Sequence, residues 1–298
     1  MVYKDLGEYN KAADLLESTL NIQSKINHQN LSTTQSNLAL VYQNLGEFTK
    51  AVELLEMALE SDIQNYGESH PYVATRQSNL ALVYTNLGKY TKSADLLEMA
   101  LKSDIQNFGE LHPKVAIRQS ILATVYKDLG EYNKAAGLSE MAMKSCIQNF
   151  GELHPNTSTV QSNLAVVYRD LGENTKAADL LEKALKSDIQ NFGESHPEVA
   201  IKQSNLAMVY QDLGEYTKAA DLLEKALKSD LQNFEESHPN VAIRQYNLAT
   251  VLVDLNRVEE AYSLLEKAYA TFVLRLGSEH PHARVCLSWL NHVKGMLG

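Results

Sequence analysis

Apolar residues recur at helical spacing along the chain, in blocks that are separated by short polar connectors. One block begins near Pro197, and its apolar positions are Val199, Leu206, Val209, Tyr210 and Leu213. The next block continues the spacing at Tyr216, Ala219, Leu223, Ala226 and Leu227. Residues spaced in this way lie on one face of an α-helix. The pattern predicts two successive amphipathic helices, the first with proline at its start, where the missing N–H is not needed.

A leucine-glycine pair ends the first predicted helix of this unit, as glycine commonly does. The glycine of this pair recurs every 42 residues, at Gly46, Gly88, Gly130, Gly172 and Gly214. Asn256 replaces it in the next copy, and Gly7 lies 39 residues before Gly46 because one connector is shorter. Self-similarity at such a fixed period is the signature of a repeat protein.

A two-helix unit cannot bury its apolar faces alone, so neighbouring copies must stack on one another. The sequence therefore predicts an all-α fold, an α-solenoid of stacked helix-turn-helix repeats. We predict a single array over 1–298, with a truncated first repeat at 1–30 and a capping helix at 282–298. The predicted full repeats are 31–71, 72–113, 114–155, 156–197, 198–239 and 240–281.

The two ends of this array differ in their predicted capping. In the last helix Val293 keeps an apolar core position, whereas Asn291 and Lys294 are polar where most repeats have Ala and Tyr. Such a solvated face is typical of a terminal cap. Residues 1–3 align with 208–210, so the chain is expected to begin halfway along a first helix, as a piece of a longer array. An uncapped first repeat of this kind would offer a surface for self-association.

Composition and charge narrow the function classes. Of the 298 residues, 44% are apolar and 21% charged, which is normal for a soluble globular protein. The formal net charge of −10 argues against nucleic acid and anionic membranes as partners. No apolar run approaches the ~18 residues of a membrane span, and the first residues carry charge where a signal peptide is apolar. The two cysteines fit no metal or redox spacing. We expect a cytoplasmic protein.

The repeat resembles the tetratricopeptide repeat. The matching positions are Leu206, Ala207, Tyr210, Gly214, Tyr216, Ala219, Ala226 and Leu227. The period of 42 and the connector "GESHPEVA" are similar to the repeats of kinesin light chains, which also read "LG..HP.VA" followed by "NNLA". The resemblance covers essentially the whole chain. It implies a right-handed superhelix whose first helices line a concave groove, and a function in binding other proteins.

The chain departs from the light chains in ways that bear on function. Serine, not asparagine, precedes the Asn-Leu-Ala of most repeats, and glutamine stands two residues before that asparagine. No coiled-coil heptads are present for binding a motor heavy chain. Motor function therefore does not carry over from the resemblance.

One polar position of the predicted groove recurs just before the leucine of each Leu-Ala pair. It is occupied by Asn37, Asn79, Asn163, Asn205 and Asn247, and only Ile121 breaks the pattern. An amide has two N–H donors and one carbonyl acceptor, so it can pair with both groups of an extended peptide backbone. By resemblance, light-chain-type repeats use this asparagine in that way. The alternative is that each asparagine bonds to the adjacent helix and holds the repeats together, and the two roles are compatible.

Other groove positions are predicted to contact a ligand. Ser162 and Ser204 are small and keep the groove open, whereas Tyr246 replaces serine and would narrow it or supply an aromatic surface. The residues that flank the conserved Val-Tyr pair vary between repeats and include Met208, Arg169 and Gln211. This variation indicates a groove whose composition changes along its length. Drift at solvent-exposed positions is the alternative.

Two columns of charge run through the repeats. The basic column is Arg76, Arg118, Lys202 and Arg244, and the acidic column is Asp128, Asp170, Asp212 and Asp254. A basic stripe at the groove edge could steer acidic residues of a ligand. The alternative is a solvated surface whose charges pair with one another.

Histidines also recur every 42 residues, at His70, His112, His154, His196, His238 and His280. Equivalent residues of a solenoid are separated by whole helix pairs, at ~8–10 Å per helix contact, so they cannot converge on one metal ion. Each precedes a proline and is expected at the start of a helix. No arrangement of residues points to a catalytic, cofactor or metal site.

The sequence therefore predicts a non-enzymatic scaffold that binds a peptide segment of a partner of unknown identity in its groove. The uninterrupted run at Asn163, Asn205 and Asn247 predicts that the C-terminal half binds better than the region around Ile121. The alternative function is a structural spacer, or a sensor or assembly arm of a larger multidomain protein.

Overall fold

A computed structural model describes residues 8–25 and 30–298. The expectation that the chain begins within a helix falls on residues 1–7, which lie outside the described residues. The described part of the chain is all α-helical, as predicted. Its helices are α1 (Tyr9–Lys25), α2 (Leu31–Asn44), α3 (Phe48–Tyr66), α4 (Pro71–Asn86), α5 (Tyr90–Phe108), α6 (Pro113–Asp128), α7 (Tyr132–Phe150), α8 (Pro155–Asp170), α9 (Asn174–Phe192), α10 (Pro197–Asp212), α11 (Tyr216–Asn233), α12 (Pro239–Asp254), α13 (Val258–Leu276) and α14 (Pro281–Leu297).

The helices group into two compact units, Met1–Asn149 and Phe150–Gly298, which we call unit 1 and unit 2. In unit 1 each helix from α1 to α5 pairs with the next in the chain, and in unit 2 each helix from α8 to α13 does so, so that hairpins stack on hairpins. The first helices of successive repeats also contact each other directly, as α2 contacts α4 in unit 1 and α10 contacts both α8 and α12 in unit 2. This stacking buries the apolar stripe that a single hairpin would expose. No helix within the described ranges is long and apolar enough to cross a membrane.

The core of each repeat is built from leucine and alanine on the facing sides of the paired helices. In unit 2, Leu223 and Leu265 are fully buried, and Ala219 and Ala226 are inaccessible to solvent. Alanine at these positions lets the helix axes approach closely, while leucine fills the remaining space. Val199, Leu206 and Val209 of the predicted apolar face are buried as expected, whereas Leu213, just beyond the end of α10, is 40% exposed.

Each first helix from α4 onward begins with the same histidine-proline element. At the start of α10, His196 Nδ1 accepts a hydrogen bond from the N–H of Glu198 at 3.1 Å, and Pro197 is the first helical residue. The imidazole also stacks on Phe192 at the end of α9, with ring centroids 4.7 Å apart. The histidines thus cap helix N-termini, as the sequence predicts. The described residues contain no group of three or more His, Cys, Asp or Glu that could hold a metal ion.

The turn inside each hairpin needs a residue with positive φ. Gly214 has φ 77°, and the other turn glycines are similar. Asn256 takes the same place in the last hairpin with φ 60° and is the only non-glycine residue with positive φ among those described. Asparagine tolerates this left-handed conformation better than most residues. The turn of the last hairpin therefore keeps a left-handed residue although asparagine replaces glycine there.

The basic column does not lie at a groove edge, and the steering role considered for it is wrong. Arg244 on α12 is paired with Asp230 on α11, with 3.1 Å between Nε and Oδ2, and the two side chains are only 9% and 1% exposed. Arg76 is paired with Asp62 in the same way at 2.9 Å. The remaining pairs of this kind join Arg118 to Asp104 and Lys202 to Asp188. These bases tie the first helices α4, α6, α10 and α12 to the second helix before each of them.

Where one partner of this ion pair is missing from the sequence, the other is missing too. Phe272 and Cys286 occupy the corresponding positions of α13 and α14, and both belong to the buried core of unit 2. At the same places in the repeat, the chain carries Cys146 and Val160. A single replacement would leave an uncompensated buried charge, which costs several kcal/mol. The paired replacement avoids that cost.

A serine and an asparagine of the second helices hold the connector of the preceding repeat. On α9, Ser187 Oγ and Asn191 Nδ2 both donate to the carbonyl oxygen of Leu153, at 3.0 and 2.7 Å. The same contacts recur in unit 1 between α7 and the carbonyl oxygen of Leu111. The recurring Ser and Asn therefore have a structural role, and they lie on the second helices rather than on the first.

Candidate functional site

The exposed stripes of the first helices form the surface on which the predicted site residues lie. We call this surface in unit 2, on α8, α10, α12 and α14, the first-helix face. Because α10 contacts α8 and α12, and α12 contacts α14, the stripes are adjacent. Asn163 is exposed on α8, and Asn205 and Asn247 are half-buried on α10 and α12. These three predicted residues therefore occur on consecutive first helices.

Each of two asparagines of this face is held by a serine of the preceding repeat. Asn205 Nδ2 donates to Ser162 Oγ, and Asn247 Nδ2 donates to Ser204 Oγ, both at 3.2 Å. Both serines are buried. The contact between repeats that the sequence left open is therefore present. It uses one N–H of each amide and leaves the second N–H and the carbonyl oxygen Oδ1 for another partner.

Unit 1 repeats the contact once and then interrupts it. Asn79 Nδ2 donates to Ser36 Oγ at 3.1 Å. At the next step Ile121 stands in place of asparagine, 38% exposed, and Ser78 Oγ is buried without a hydrogen-bond partner among the described residues. Asn37 is half-buried on α2. The break at Ile121 therefore removes both an exposed amide and a contact between repeats.

Arg169 and Gln211, predicted to contact a ligand, reach across to the acidic column of the next repeat. The guanidinium of Arg169 forms an ion pair with Asp212, in which both side chains remain about one third exposed. Gln211 Nε2 donates to Asp254 Oδ2 at 2.6 Å. The ion pair of Asp212 agrees with the alternative that the charges of the columns pair with one another. Asp254 differs, because its partner is the neutral amide of Gln211.

The remaining predicted residues line the face between these polar contacts. Met208 is half-buried on α10, and Tyr246 is half-buried on α12. Tyr246 packs against the apolar core of unit 2, and burial raises the pKa of its hydroxyl group. Thr250, one turn further on, is buried and donates its hydroxyl to the carbonyl oxygen of Asn247 at 2.8 Å. The α12 segment of the face thus carries a tyrosine ring where α8 and α10 carry the hydroxyl groups of Ser162 and Ser204.

Sequence reasoning did not single out Trp289, which lies on α14 at the place of the recurring asparagine. It is half-buried, packs against the core of unit 2, and contacts His292 edge-on with ring centroids 6.0 Å apart. The position is 42 residues beyond Asn247. Extending the asparagine column by one more period would have found it.

In α2, α4, α6 and α10 a tyrosine of the first helix binds a glutamate of the preceding second helix. Tyr210 Oη donates to Glu182 at 2.5 Å and Tyr84 Oη donates to Glu56 at 2.8 Å. Burial, and then the hydrogen bond to Glu182, raise the pKa of Tyr210 to about 12. The hydroxyl is held by this bond and is structural rather than part of the exposed face.

Comparison with known families decides the identity of the repeat. The family model of the tetratricopeptide repeat matches residues 1–62, 30–106, 72–146, 114–190 and 198–287. The chain belongs to the tetratricopeptide repeat family. Proteins of this family generally mediate protein–protein interactions or act as sensor domains. No curated protein sequence matches the chain.

Solved structures of tetratricopeptide repeat proteins share the fold. A Podosopora anserina kinesin light chain protein with nearly identical TPR-like repeats is 26% identical, with a TM-score of 0.61 over 70% of this chain and 98% of its own. BtubC (BKLC) from P. vanneervenii is also 26% identical, with a TM-score of 0.63 over 78% of this chain and 92% of its own. The similarity to kinesin-light-chain-like repeats that the sequence predicts is confirmed.

A more distant structure has a tetratricopeptide repeat as part of a longer chain. It is the STAND protein PH0952 from Pyrococcus horikoshii, which has a tetratricopeptide repeat sensor. It is 17% identical, with a TM-score of 0.67 over 91% of this chain and 40% of its own. At this identity the similarity concerns the fold alone.

Proposed function

We propose that the first-helix face of unit 2 binds an extended peptide segment of a partner protein, through the side-chain amides of Asn163, Asn205 and Asn247. The observation that carries this proposal is the serine contact of Asn205 and Asn247. It fixes one N–H of each amide at 3.2 Å from a buried hydroxyl. The other N–H and Oδ1 are then oriented in advance toward a passing backbone, which has one acceptor and one donor per residue.

Such pre-orientation lowers the entropic cost of binding. An exposed asparagine side chain loses rotamer freedom when it is immobilised by a ligand, whereas these side chains are already held by the preceding repeat. A hydrogen bond between neutral groups contributes about 1 kcal/mol. Several such bonds on consecutive helices add up, and they do not depend on which side chains the peptide carries. The amides would therefore supply affinity, and the variable neighbours Met208, Arg169 and Gln211 would supply specificity.

The test is affinity for a peptide selected from a random phage-displayed library against the intact chain. Asn205→Ala is expected to weaken the selected peptide about fivefold, the equivalent of one neutral hydrogen-bond pair. Asn191→Ala is the matched control, because Asn191 bonds the Leu153 carbonyl oxygen on a second helix. It removes the same amide from a site off the face. It should reduce stability and leave affinity unchanged.

Ser162→Ala separates the two roles of the asparagine. Removing Ser162 Oγ deletes the contact between repeats and keeps the amide of Asn205. We expect a smaller loss of affinity than in Asn205→Ala, because only the orientation of the amide is lost. If Asn205→Ala and Asn191→Ala bind the selected peptide as tightly as the original chain, the asparagines serve only to join repeats. A structural spacer or sensor arm of a larger protein is then the better interpretation.

The wider context of this proposal is a non-enzymatic scaffold in the cytoplasm, with a protein or peptide as partner. Cys146 and Cys286 are both free and buried. Burial raises the pKa of the Cys286 thiol to about 12 and raises that of Cys146, which disfavours the reactive thiolate at neutral pH. Free thiols of this kind are typical of a reducing compartment. Thiol titration of the protein isolated from cells under alkylating conditions tests the location.

A further inference from the structure

At one place in unit 2 the hydrogen-bonded serine–asparagine pair is replaced by two aromatic residues. Ser204 on α10 pairs with Asn247 on α12, 43 residues later. The next residues in the same register are Tyr246 on α12 and Trp289 on α14, and these two helices are in contact. Both side chains are half-buried against the same apolar core. Part of each ring is therefore open to solvent where the other repeats present hydroxyl and amide groups.

A carboxylate with a neutral partner lies further along the same helix. Asp254 is on α12, about 12 Å beyond Tyr246 at 1.5 Å of rise per residue. In the preceding step of the acidic column, Asp212 is neutralised by Arg169. The equivalent partner of Asp254 is Gln211, whose amide donates at 2.6 Å. This amide fixes the orientation of the Asp254 carboxylate and leaves its charge in place.

The cation nearest to Asp254 in sequence does not neutralise it. The guanidinium of Arg257 donates to both carboxylate oxygens of Glu260 at 2.7 Å, and it lies 3.8 Å from Glu224. Asp254 is exposed, in a chain whose formal net charge is −10. The field at this end of the face therefore attracts cations and repels acidic groups.

We propose that this part of the first-helix face recognises a peptide segment that carries one bulky apolar side chain and one arginine or lysine. The proposal rests on the proposed function and specifies the chemistry of the bound segment. The apolar side chain docks on the exposed parts of Tyr246 and Trp289, and the cation pairs with Asp254. Asn247, next to Tyr246, offers its free amide groups to the backbone between the two side chains.

The distance between the two subsites fixes the spacing of the segment. An extended chain advances about 3.3 Å per residue, so ~12 Å corresponds to about four residues. The apolar and basic residues of the ligand should therefore be about four positions apart. A helical ligand would need about eight positions for the same distance. Spacing thus distinguishes an extended segment from a helix.

The probe is a set of synthetic peptides of glycine, serine and threonine, acetylated and amidated, that carry one phenylalanine and one arginine. The two residues stand about four positions apart, in both orders, or adjacent as a spacing control. Companion peptides replace arginine by glutamine or glutamate, or phenylalanine by alanine. Trp289 is the only tryptophan of the chain, so its fluorescence reports directly on occupation of the aromatic subsite.

The peptide with phenylalanine and arginine is expected to change the emission of Trp289 and to bind most tightly. It should bind up to about fivefold more tightly than the glutamine peptide, which is the upper end for an exposed ion pair, and the glutamate peptide should bind most weakly. Asp254→Asn should abolish the preference for arginine over glutamine. Asp221→Asn is the matched control, because Asp221 is exposed on the second helix α11, and it should leave the preference unchanged.

Equal affinity for the arginine, glutamine and glutamate peptides would overturn the inference, as would an unchanged Trp289 emission at saturation. In the first case the proposed function stands if Asn205→Ala weakens all three peptides alike. If none of the synthetic peptides binds, the inference fails as well. The proposed function is then judged separately, by the peptide that the random library yields.

Discussion

Asn247 donates a hydrogen bond from Nδ2 to Ser204 Oγ, 3.2 Å away on the first helix of the preceding repeat. The bond joins two repeats and at the same time holds the rest of the amide in a fixed orientation. In a repeat protein, stability depends on such nearest-neighbour contacts. One residue pair can therefore contribute to the stability of the stack and to the recognition of a ligand, and its two contributions are separable by mutation.

The first prediction concerns the interrupted pair in unit 1. Ser78 Oγ is buried without a partner, opposite the place where Ile121 replaces asparagine. Ile121→Asn supplies the missing donor, so we expect the free energy of unfolding of unit 1 to rise by about 0.5–1 kcal/mol. Hydrogen exchange of the amides of α4 and α6 measures the effect locally. In a Ser78→Ala background the gain should vanish, and a gain that persists would contradict the pairing.

The second prediction concerns the buried ion pair of Asp230 and Arg244. Burial raises the pKa of the Asp230 carboxyl and lowers that of the Arg244 guanidinium, although the two attract each other. Arg244→Val leaves Asp230 uncompensated and should cost about 3–5 kcal/mol. The double change Asp230→Cys with Arg244→Val copies the residues at 146 and 160 and should recover most of that loss.

Chemical denaturation and exchange of the α11 and α12 amides measure both variants of this ion pair. Lys228→Gln on α11 is the control, because it removes a positive charge from an exposed side chain outside the ion pair. The interpretation of a compensated buried pair is wrong if the double variant is as unstable as Arg244→Val.

The third prediction concerns alkaline pH. Burial and the bond to Glu182 raise the pKa of Tyr210 to about 12 from its ordinary value of 10.0, and Tyr84 is raised to about 12 as well. A group whose folded pKa is raised contributes stability that is fully present below the unfolded pKa and is lost as pH rises. Stability should therefore fall between about pH 10 and pH 12.

Ultraviolet difference absorbance of tyrosinate against pH follows this titration directly. Glu182→Gln removes the negative charge beside Tyr210 and should shift the ionisation of one tyrosine to lower pH. Glu194→Gln, an exposed change in a connector, is the matched control. An identical titration curve for Glu182→Gln and the original chain would contradict the assigned cause.

The fourth prediction compares two glycines with different backbone conformations. Gly214 has φ 77°, where an alanine is strained, so Gly214→Ala should cost about 1–2 kcal/mol. Gly137 lies within α7, and a Cβ added there would meet nothing within 4 Å, so Gly137→Ala should stabilise the helix by up to about 1 kcal/mol. Thermal denaturation of the two variants should shift in opposite directions, and shifts in the same direction would contradict the assignment.

The fold was predictable from the sequence because every repeat carries the same pattern of residues. The glycine register, the histidine-proline element and the apolar spacing of Leu206 and Leu223 all follow from local rules. The role of Arg244 was not predictable in the same way. Its partner Asp230 lies on the other helix of the neighbouring hairpin, and a single column of bases does not reveal which residues face it. Comparing the basic column with the recurring aspartates at 62, 104, 188 and 230, and noting that both are replaced together at 272 and 286, would have revealed the pair.

The candidate site was predictable only in part. The position of Asn205 on an exposed stripe follows from helical periodicity. Its hydrogen bond to Ser162 depends on how successive first helices are staggered, by 43 residues rather than 42, and that stagger is a property of the stack. Trp289 was missed because it continues the asparagine column with a different residue type.

The central claim is that the free amide groups of Asn205 and Asn247 contact the backbone of a bound peptide. Nuclear magnetic resonance of the chain labelled with nitrogen isotope at asparagine alone observes these side-chain amides directly. Titration with the peptide selected from the random library should shift the side-chain resonances of Asn205 and Asn247 together and leave that of Asn191 in place. If the selected peptide binds while the resonances of Asn205 and Asn247 stay unmoved, the peptide binds elsewhere and the claim is wrong.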